Sequence, residues 1–374
     1  MNRVLHVVNS MGVGGIETFL MNVYRKIDRD NLQFDFLLHK KTNSHYEKEI
    51  ISLGGKIFYL PTRREGIIES KRALNEFFDL HSEYHIVHEH VSSLSDIDAL
   101  ICAHKHGVNG RIIHAHSTAA PGSRIHKYLH KMNQKKLKKA ANYYFSCSDA
   151  STRWLYSGTG VIDKVKFIPN GVDCQRFCFD QTIRDNYRNK LSLSNKKVII
   201  HIGRLSTEKN HMFLIDAFDY YHKNNPESLL LLIGDGILKS QIQELIYKKN
   251  LSESIIMLGV RKDIPELLMA SDLFVLPSLF EGFPVSIIEA QSTGIPCLYS
   301  NNITATAKVL ENVKQLDINK GSIIWSDEFE NMIKLGRFKN AYNEMSASKF
   351  NIDNVTRTLS EFYQSVIYGD IVNE

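Results

Sequence analysis

The sequence predicts an α/β protein built from two Rossmann-like, doubly wound domains. The chain has 374 residues, which fits two domains of about 100 to 200 residues each. Short apolar segments rich in β-branched residues alternate with longer segments of helical period, as in the βα units of a parallel sheet. This series of strands is interrupted once, near the middle of the chain, and a second series then begins.

The interruption sets the predicted domain boundaries. The stretch from Pro169 to Asn195 has no sustained period and is predicted to connect the domains. We expect a first domain over 1–170, a connection over 171–195, a second domain over 196–345, and a helical tail over 346–374 that packs back on the first domain. The predicted strands are Val4–Val8, Phe34–Leu38, Lys56–Leu60, Ile86–Glu89, Arg111–His114, Tyr143–Ser146, Val165–Ile168, Lys197–Ile202, Leu229–Ile233, Ile255–Leu258, Leu273–Leu276 and Cys297–Ser300.

The composition excludes several functional classes. A net charge of +5 is too small for a nucleic-acid-binding surface over the whole protein, although it allows a local basic patch. The five cysteines are scattered and are expected to be reduced thiols, and Cys174 and Cys178 lack further ligands at zinc-site spacing. With no signal peptide and no apolar run of about 20 residues, we expect a cytoplasmic protein, soluble or held on the inner face of the cell membrane.

A glycine-rich loop follows the first predicted strand. It contains Gly12, Gly14 and Gly15 and leads into a helix whose free N–H groups favour an anion such as a phosphate. The dinucleotide fingerprint fails, because Glu17 stands where Gly-x-Gly-x-x-Gly requires its last glycine. A nicotinamide cofactor is therefore not expected, and a tight turn alone also explains the glycines.

A charged loop opens the second domain. The segment Gly203–Asn210 places Arg204 and Lys209 at the carboxyl edge of the predicted sheet. Two fixed cations there are suited to neutralise a pyrophosphate. Chance charges in a solvated loop are the alternative.

A second loop, Pro277–Pro284, contains Glu281 and leads into a helix that carries Glu289. A proline suits the first helical turn and leaves Glu289 one to two turns into the helix. Both carboxylates can therefore face the carboxyl edge of the sheet, where ligands bind. They could accept hydrogen bonds from ribose or sugar hydroxyls, or simply complement the helix dipole.

Three motifs therefore follow one another along nearly the whole chain: Gly-Gly-Ile-Glu, Gly-Arg-Leu-x-x-Glu-Lys-Asn, and Glu281 and Glu289 with seven residues between them. Together they resemble the family 4 retaining glycosyltransferases of the GT-B fold, whose two domains face a central cleft. The segment Ser300–Thr304 and Trp325 resemble relatives that build bacterial surface polysaccharides. The resemblance implies transfer of a sugar from a nucleoside diphosphate sugar, with UDP expected, to a hydroxyl of a lipid-linked oligosaccharide in exopolysaccharide, capsule or O-antigen synthesis.

The resemblance also implies residue roles. Arg204 and Lys209 would stabilise the diphosphate leaving group without a metal, Glu281 would contact the donor sugar, and Glu289 the ribose. No cofactor would be required. The implied donor-binding residues are Gly14, Gly15, Gly203, Arg204, Lys209, Glu281, Gly282, Phe283, Pro284 and Glu289. The implied catalytic residues are His116, Arg204, Lys209 and Glu281, with His114 as the competing position for the active-site histidine.

Two other clusters look like metal ligands. The pair Asp96 and Asp98 is better explained by the acidic preference of a helix start. His88 and His90, which follow His85, share one face of a strand without a carboxylate between them. We therefore expect no metal site, and a role for these histidines in lining the binding site.

The segment Arg124–Lys139 is predicted to be a basic amphipathic helix. Apolar residues recur at helical spacing at Ile125, Tyr128, Leu129 and Met132. Such a helix is suited to lie on an anionic membrane surface, or alternatively to pack on the protein by its apolar stripe. The expected membrane-facing cations are Arg124, Lys127, Lys131, Lys135, Lys136, Lys138 and Lys139.

Two rival functions remain open at this point. A nucleotide-sugar epimerase on the same scaffold would need no acceptor. A non-catalytic partner subunit would explain why Thr306 is neutral where relatives often carry an acidic residue.

Overall fold

The computed structural model describes residues 1–12, 14–39, 45–117 and 124–369. These residues form two compact units. The first unit comprises Met1–Gly171 and the C-terminal segment from Ile352, and the second unit comprises Val172–Asn351.

The first unit contains a parallel seven-stranded sheet. Its strands are β1 (Asn2–Val8), β2 (Leu32–Leu38), β3 (Ile57–Tyr59), β4 (Ile86–Val91), β5 (Gly110–Ala115), β6 (Tyr143–Ser146) and β7 (Val165–Phe167). Its helices up to the second unit are α1 (Gly15–Lys26), α2 (Glu47–Ser52), α3 (Ile67–Leu80), α4 (Asp98–Lys105), α5 (Arg124–Gln134), α6 (Leu137–Ala140) and α7 (Asp149–Tyr156). Apolar clusters cover both faces of the sheet, which explains why the strands between its two edges are almost continuously buried.

The second unit contains a parallel six-stranded sheet. Its strands are β8 (Lys197–Ile202), β9 (Ser228–Ile233), β10 (Ile255–Gly259), β11 (Leu273–Leu276), β12 (Cys297–Ser300) and β13 (Val313–Leu316). Its helices are α8 (Gln181–Lys190), α9 (His211–Asn224), α10 (Lys239–Lys248), α11 (Ile264–Ala270), α12 (Val285–Ser292), α13 (Ser322–Leu335) and α14 (Ala341–Ala347).

The strand order positions the functional loops. It runs β3-β2-β1-β4-β5-β6-β7 in the first unit and β10-β9-β8-β11-β12-β13 in the second. Each chain path therefore reverses direction beside its first strand, between β1 and β4 and between β8 and β11. In open α/β sheets, ligands bind outside the carboxyl ends of the strands at this point.

The last helix, α15 (Ile352–Tyr368), belongs to the first unit. Val355, Leu359 and Tyr363 recur on one face and are buried against the sheet together with residues of α1. The predicted return of a C-terminal helix to the first domain is confirmed.

Helix α8 is an element that the sequence pattern does not predict, because it lies in the stretch expected to connect the domains. Only Ile183 and Tyr187 interrupt its polar sequence, so it shows almost no apolar period. Polar contacts dock it instead. Arg184 and Arg188 donate to backbone carbonyls at the end of α11 and form ion pairs with Asp272 at 2.5 and 3.3 Å.

Strand β13 was also missed. It has four residues, two of them polar, and it pairs only with β12 among the described strands. An edge strand this short carries too little alternation to be recognised from sequence.

Replacing Leu359 by alanine should destabilise the first unit by about 2 to 5 kcal/mol, because the side chain is 2% exposed and its removal leaves a cavity. Urea unfolding followed by circular dichroism measures the change. The exposed Arg357 on the same helix provides the control, since Arg357→Ala should stay within about 0.5 kcal/mol of wild type. Equal stabilities of the two variants would show that α15 is not part of the core.

Candidate active site

The loops after β8 and β11 meet at the carboxyl edge of the second sheet, because these strands are neighbours. The Leu279 N–H donates to the Glu208 carbonyl at 2.8 Å, and Asn210 Nδ2 donates to the Pro277 carbonyl at 3.2 Å. Two loops that the sequence places far apart are thereby held as one surface.

Lys209 and Glu281 form the centre of this surface. Lys209 Nζ lies 2.5 Å from Glu281 Oε1, and the side chains are only 15% and 12% exposed. Ser278 Oγ donates to the same carboxylate oxygen at 2.6 Å. An ammonium group has three donors. One serves Glu281, and the others are available to phosphate oxygens.

The backbone around Lys209 requires glycine. A Cβ at Gly203 would lie 3.0 Å from Lys209 Cδ and 3.1 Å from His201 Nε2. Gly234, after β9, has a φ of +136°, and a Cβ there would lie 2.0 Å from the Gly203 carbonyl oxygen. The loops after β8 and β9 can approach this closely only without side chains.

Three residues of this site were missed by sequence reasoning: His201, His211 and Gly234. His201 and His211 lie beneath the loop with ring centroids 4.7 Å apart. Burial lowers the pKa of His211 to about 4, and the charge of Lys209 acts in the same direction. Their position in the sequence could have identified the two histidines, because His201 is in β8 and His211 begins α9, directly beside the charged loop.

The remaining predicted donor residues differ in exposure. The Arg204 side chain is exposed at the start of the loop. Gly282 is partly exposed, whereas Pro284 is buried at the position before α12. The Phe283 ring is buried and stacks on Phe350 with centroids 5.1 Å apart, so the ring contributes to packing and leaves its backbone for ligand contact.

Glu289 lies on α12 as predicted. Burial raises its pKa to about 7, against the opposing effect of the positive charge of Arg176. A carboxyl group in this state is partly protonated near neutral pH, so it can donate a hydrogen bond as well as accept one.

The predicted glycine loop of the first unit leads into α1. Gly14 precedes the helix with an extended backbone, and Glu17 Oε2 lies 2.4 Å from the place where a Cβ of Gly14 would sit. The Glu17 carboxylate thus complements the helix N-terminus. A Cβ at Gly15 would meet no atom within 4 Å, and Val13 lies outside the described residues.

His114 lies in β5, and His116 follows the last residue of that strand. His114 is fully buried, whereas His116 is partly exposed, so only His116 of the two has a solvent-accessible surface for a substrate. Burial lowers the pKa of His116 to about 3, which keeps its imidazole neutral. Its Nε2 lies 3.0 Å from His90 Nδ1.

The other histidines on β4 have different environments. His85 is exposed before the strand. His88 and His90 share a face with rings stacked at 4.1 Å, as the strand period predicts. His90 borders a cavity, but His88 is buried with its Nδ1 2.6 Å from the Tyr363 hydroxyl, so the expectation that it lines a binding site is wrong.

The predicted acidic pair lies at the start of α4. Asp98 is the first residue of the helix and forms an ion pair with Arg63. Arg63 Nε also lies 3.3 Å from Asp96. One arginine therefore offsets part of the negative charge of the two carboxylates.

The predicted basic helix forms α5 and the short α6. The buried side of α5 is polar: His130 Nδ1 accepts from the Leu94 N–H at 3.1 Å, and Asn133 Nδ2 donates to the Leu94 carbonyl at 2.7 Å. Ile125 and Tyr128 are 68% and 69% exposed, which contradicts packing by the apolar stripe. All seven predicted cations are exposed.

A cavity of about 1660 Å³ in the first unit adjoins these helices. Lys135 and Lys139 line one side, and Arg63 and Glu89 line another. Glu89 is buried, which raises its pKa well above the usual range, and the charges of Asp96 and Asp98, which also line the cavity, act in the same direction.

None of the helices within the described ranges is long and apolar enough to cross a membrane.

Two sequence families match the chain. Residues 13–176 match the family described as Glycosyltransferase Family 4, and residues 183–329 match Glycosyl transferases group 1. A putative glycosyltransferase, EpsF of Bacillus subtilis, is 31% identical over 94% of this chain and 93% of its own length. The chain belongs to glycosyltransferase family 4. This glycosyltransferase is also 30% identical, over 80% of its length and 79% of the relative, to an Escherichia coli UDP-Gal:alpha-D-GlcNAc-diphosphoundecaprenol alpha-1,3-galactosyltransferase.

Solved structures show the same fold. Anabaena Alr3699/HepE in complex with UDP and glucose has a TM-score of 0.75 at 20% identity, covering 98% of this glycosyltransferase and all of that chain. A glycosyltransferase from Rickettsia africae has a TM-score of 0.80 at 18% identity, covering 98% of each chain. The predicted GT-B fold class is confirmed. Neither the epimerase nor the partner-subunit alternative gains support from these matches.

The raised pKa of Glu289 predicts a pH-dependent stability. The unfolded carboxyl group releases its proton above about pH 4.5, whereas the folded group retains it until about pH 7. Between these values the unfolded state binds fewer protons, so stability falls as pH rises, by at most about 1.4 kcal/mol per unit. Glu289→Gln removes this loss, and its stability relative to wild type should rise between pH 5 and pH 8 in urea unfolding.

The control is Glu311→Gln, because Glu311 is an exposed carboxylate of the same unit. Its difference from wild type should be the same at every pH. A Glu289→Gln difference that is also constant would contradict the raised pKa.

Proposed function

We propose that this glycosyltransferase moves a sugar from a UDP-sugar to a hydroxyl of a lipid-linked oligosaccharide during synthesis of exopolysaccharide, capsule or O-antigen. The anomeric configuration is retained, and no metal ion is needed at the diphosphate. The observation that carries the proposal is the Lys209–Glu281 pair at the point where the strand order of the second unit reverses. The named donor and acceptor of the Escherichia coli relative support the substrate class.

The pair combines the two contacts that a nucleotide sugar needs. The ammonium of Lys209 donates to diphosphate oxygens, and the second oxygen of Glu281 accepts from a donor-sugar hydroxyl. Arg204, at the start of the same loop, adds a second cation. The N–H groups at the start of α12 add further donors, because the first N–H groups of a helix have no partner within it.

The reaction breaks the bond between C1 of the sugar and a phosphate oxygen, and the electron pair stays on the UDP leaving group. The acceptor oxygen forms the new bond to C1 on the same face and gives its proton to the departing phosphate. Fixed cations aimed at the phosphate oxygens stabilise this developing charge directly. The neutral imidazole of His116 contacts the acceptor through the exposed part of its ring and adds no charge to the site.

The side chains at the proposed diphosphate position suit a site that needs no metal ion. Magnesium prefers carboxylate and water oxygens in octahedral geometry. Here the Glu281 carboxylate already binds Lys209 and Ser278, so a lysine supplies the positive charge that a metal supplies in other transferases.

The acceptor side lies in the first unit. The cavity of about 1660 Å³ has room for several sugars, and the exposed Lys135, Lys136 and Lys139 along it suit the diphosphate of a lipid-linked oligosaccharide. Its protonated Glu89 can donate to an acceptor oxygen. Exposed Ile125 and Tyr128 on the adjoining α5 suit the membrane surface where such a lipid resides.

Lys209→Ala should weaken UDP binding by about 10-fold to 100-fold, since a hydrogen bond to a charged group contributes about 1.5 to 3 kcal/mol. Calorimetric titration with UDP, GDP and ADP, with and without EDTA, measures these affinities. Wild type should bind UDP best and equally well with and without the chelator. Transfer from UDP-glucose or UDP-galactose should fall by about 100-fold or more in the variant.

A matched control is Lys239→Ala, because Lys239 is an exposed lysine on α10 of the same unit. It should bind UDP like wild type. Unchanged UDP affinity in a folded Lys209→Ala would overturn the donor site, and loss of wild-type binding on adding EDTA would overturn metal independence.

A triple alanine variant at Lys127, Lys131 and Lys135 should bind anionic vesicles about 100-fold more weakly, at about 1 kcal/mol for each lysine. Co-sedimentation with phosphatidylglycerol vesicles measures the change, and phosphatidylcholine vesicles should bind wild type weakly. UDP affinity should stay unchanged because the lysines lie in the other unit.

The charge-matched control replaces three exposed lysines of the second unit: Lys239, Lys248 and Lys334. It should retain vesicle binding. If both triple variants lose binding equally, net charge rather than helix α5 is responsible.

A further inference from the structure

Three histidines converge on one face of the first sheet. His90 on β4 is the register partner of His114 on β5, and His116 lies two residues further along on the same face. The ring centroids of His114 and His116 are 4.0 Å apart, and His90 lies 5.4 and 5.2 Å from them. One nitrogen from each ring lies within 4.8 Å of the others.

These rings contain nitrogens without a well-formed hydrogen bond. His114 is 0% exposed, and neither of its nitrogens makes a hydrogen bond of good geometry within the described residues, although the Ile168 backbone approaches the ring. His116 Nδ1 likewise lacks a well-formed hydrogen bond, with the Asn170 side chain as a nearby polar group. Leaving a buried polar atom poorly paired is unfavourable. A group that accepts imidazole lone pairs would remove this penalty.

The chemical state of the rings suits a metal. A neutral imidazole offers the lone pair that coordination of a metal ion requires. Three imidazoles with no thiolate favour zinc, with a fourth position for water, as in known three-histidine zinc sites.

The surroundings supply what a zinc site needs beyond its ligands. His90 Nε2 lies 3.0 Å from His6 Nδ1, so a His90 bound through Nδ1 would donate its other N–H to His6. His90 Nδ1 and His116 Nε2 are 3.0 Å apart, whereas tetrahedral zinc ligands are about 3.4 Å apart. A movement of a few tenths of an ångström would therefore replace their hydrogen bond by coordination.

The accessibility of the rings favours this triad over a second histidine cluster in the same sheet. His6, His88 and His90 also come together, but all three are buried, and His88 Nδ1 is engaged with the Tyr363 hydroxyl at 2.6 Å. His116, by contrast, is partly exposed, and His90 borders the large cavity.

We propose that His90, His114 and His116 form a zinc-binding site, and that zinc bound there inhibits sugar transfer by occupying the imidazole of His116. The binding site stands on its own geometry. Only the inhibition rests on the proposed role of His116.

The test uses the full chain without a histidine tag, stripped of metal with EDTA and then freed of the chelator. Zinc is titrated by calorimetry, and the bound metal is counted by mass spectrometry after gel filtration. Wild type should bind one equivalent at micromolar affinity or tighter. His114→Gln should bind about tenfold more weakly or not at all.

His85→Gln is the control, because His85 is an exposed histidine next to the same strand. It should bind zinc like wild type. A cysteine-linked site, for example at Cys102 and His106, whose Sγ and Nδ1 are 3.7 Å apart, would survive His114→Gln. Full zinc binding in that variant therefore overturns the proposal, as does less than half an equivalent in wild type.

Because His114 is buried, its variant must first be shown to fold by circular dichroism. His116→Gln is the second variant, since His116 is partly exposed, and it should also lose zinc. Zinc should inhibit the transfer reaction of wild type reversibly and leave His114→Gln less sensitive. Stoichiometric zinc binding without inhibition would overturn only the inhibitory role. Zinc binding is measured without any donor or acceptor, so its result does not depend on whether the proposed function is correct.

Discussion

The ion pair between Lys209 and Glu281 joins two loops that are 72 residues apart in the sequence. Both side chains are largely withdrawn from water, and a buried charge without its partner is strongly unfavourable. The pair therefore fixes the loop after β8 against the loop after β11. Gly203 belongs to the same arrangement, because a Cβ there would lie 3.0 Å from Lys209 Cδ and would press on the lysine stem. The candidate site thus depends on one charge pair and on close packing around its lysine.

The first unit is organised around neutral groups instead. Its sheet carries imidazoles where aliphatic side chains would normally cover the strands, and burial keeps them uncharged. Helix α15 closes this face, with Tyr363 bonded to His88 and its aliphatic residues packed beside the rings. A segment at the end of the chain thereby controls the surroundings of residues near its beginning, which explains why it folds as part of the first unit.

Sequence reasoning reached the architecture because both sheets are buried on two faces, and buried parallel strands leave a strong apolar signal. It missed α8 because Arg184 and Arg188 dock that helix by hydrogen bonds, which have no periodic signature. It found Lys209 and Glu281 separately, but their contact depends on the strand order, which spacing alone does not encode. The mutual approach of His90 and His116 was missed for the same reason, since register decides which rings meet.

Two carboxyl groups eight positions apart have different environments in the candidate site. Glu281 lies against an ammonium group, whereas burial raises the pKa of Glu289 to about 7 with only the more distant charge of Arg176 opposing it. Such a difference assigns different hydrogen-bonding roles, because a carboxylate only accepts and a carboxylic acid also donates. The difference between the two glutamates therefore comes from their charge partners and not from their spacing.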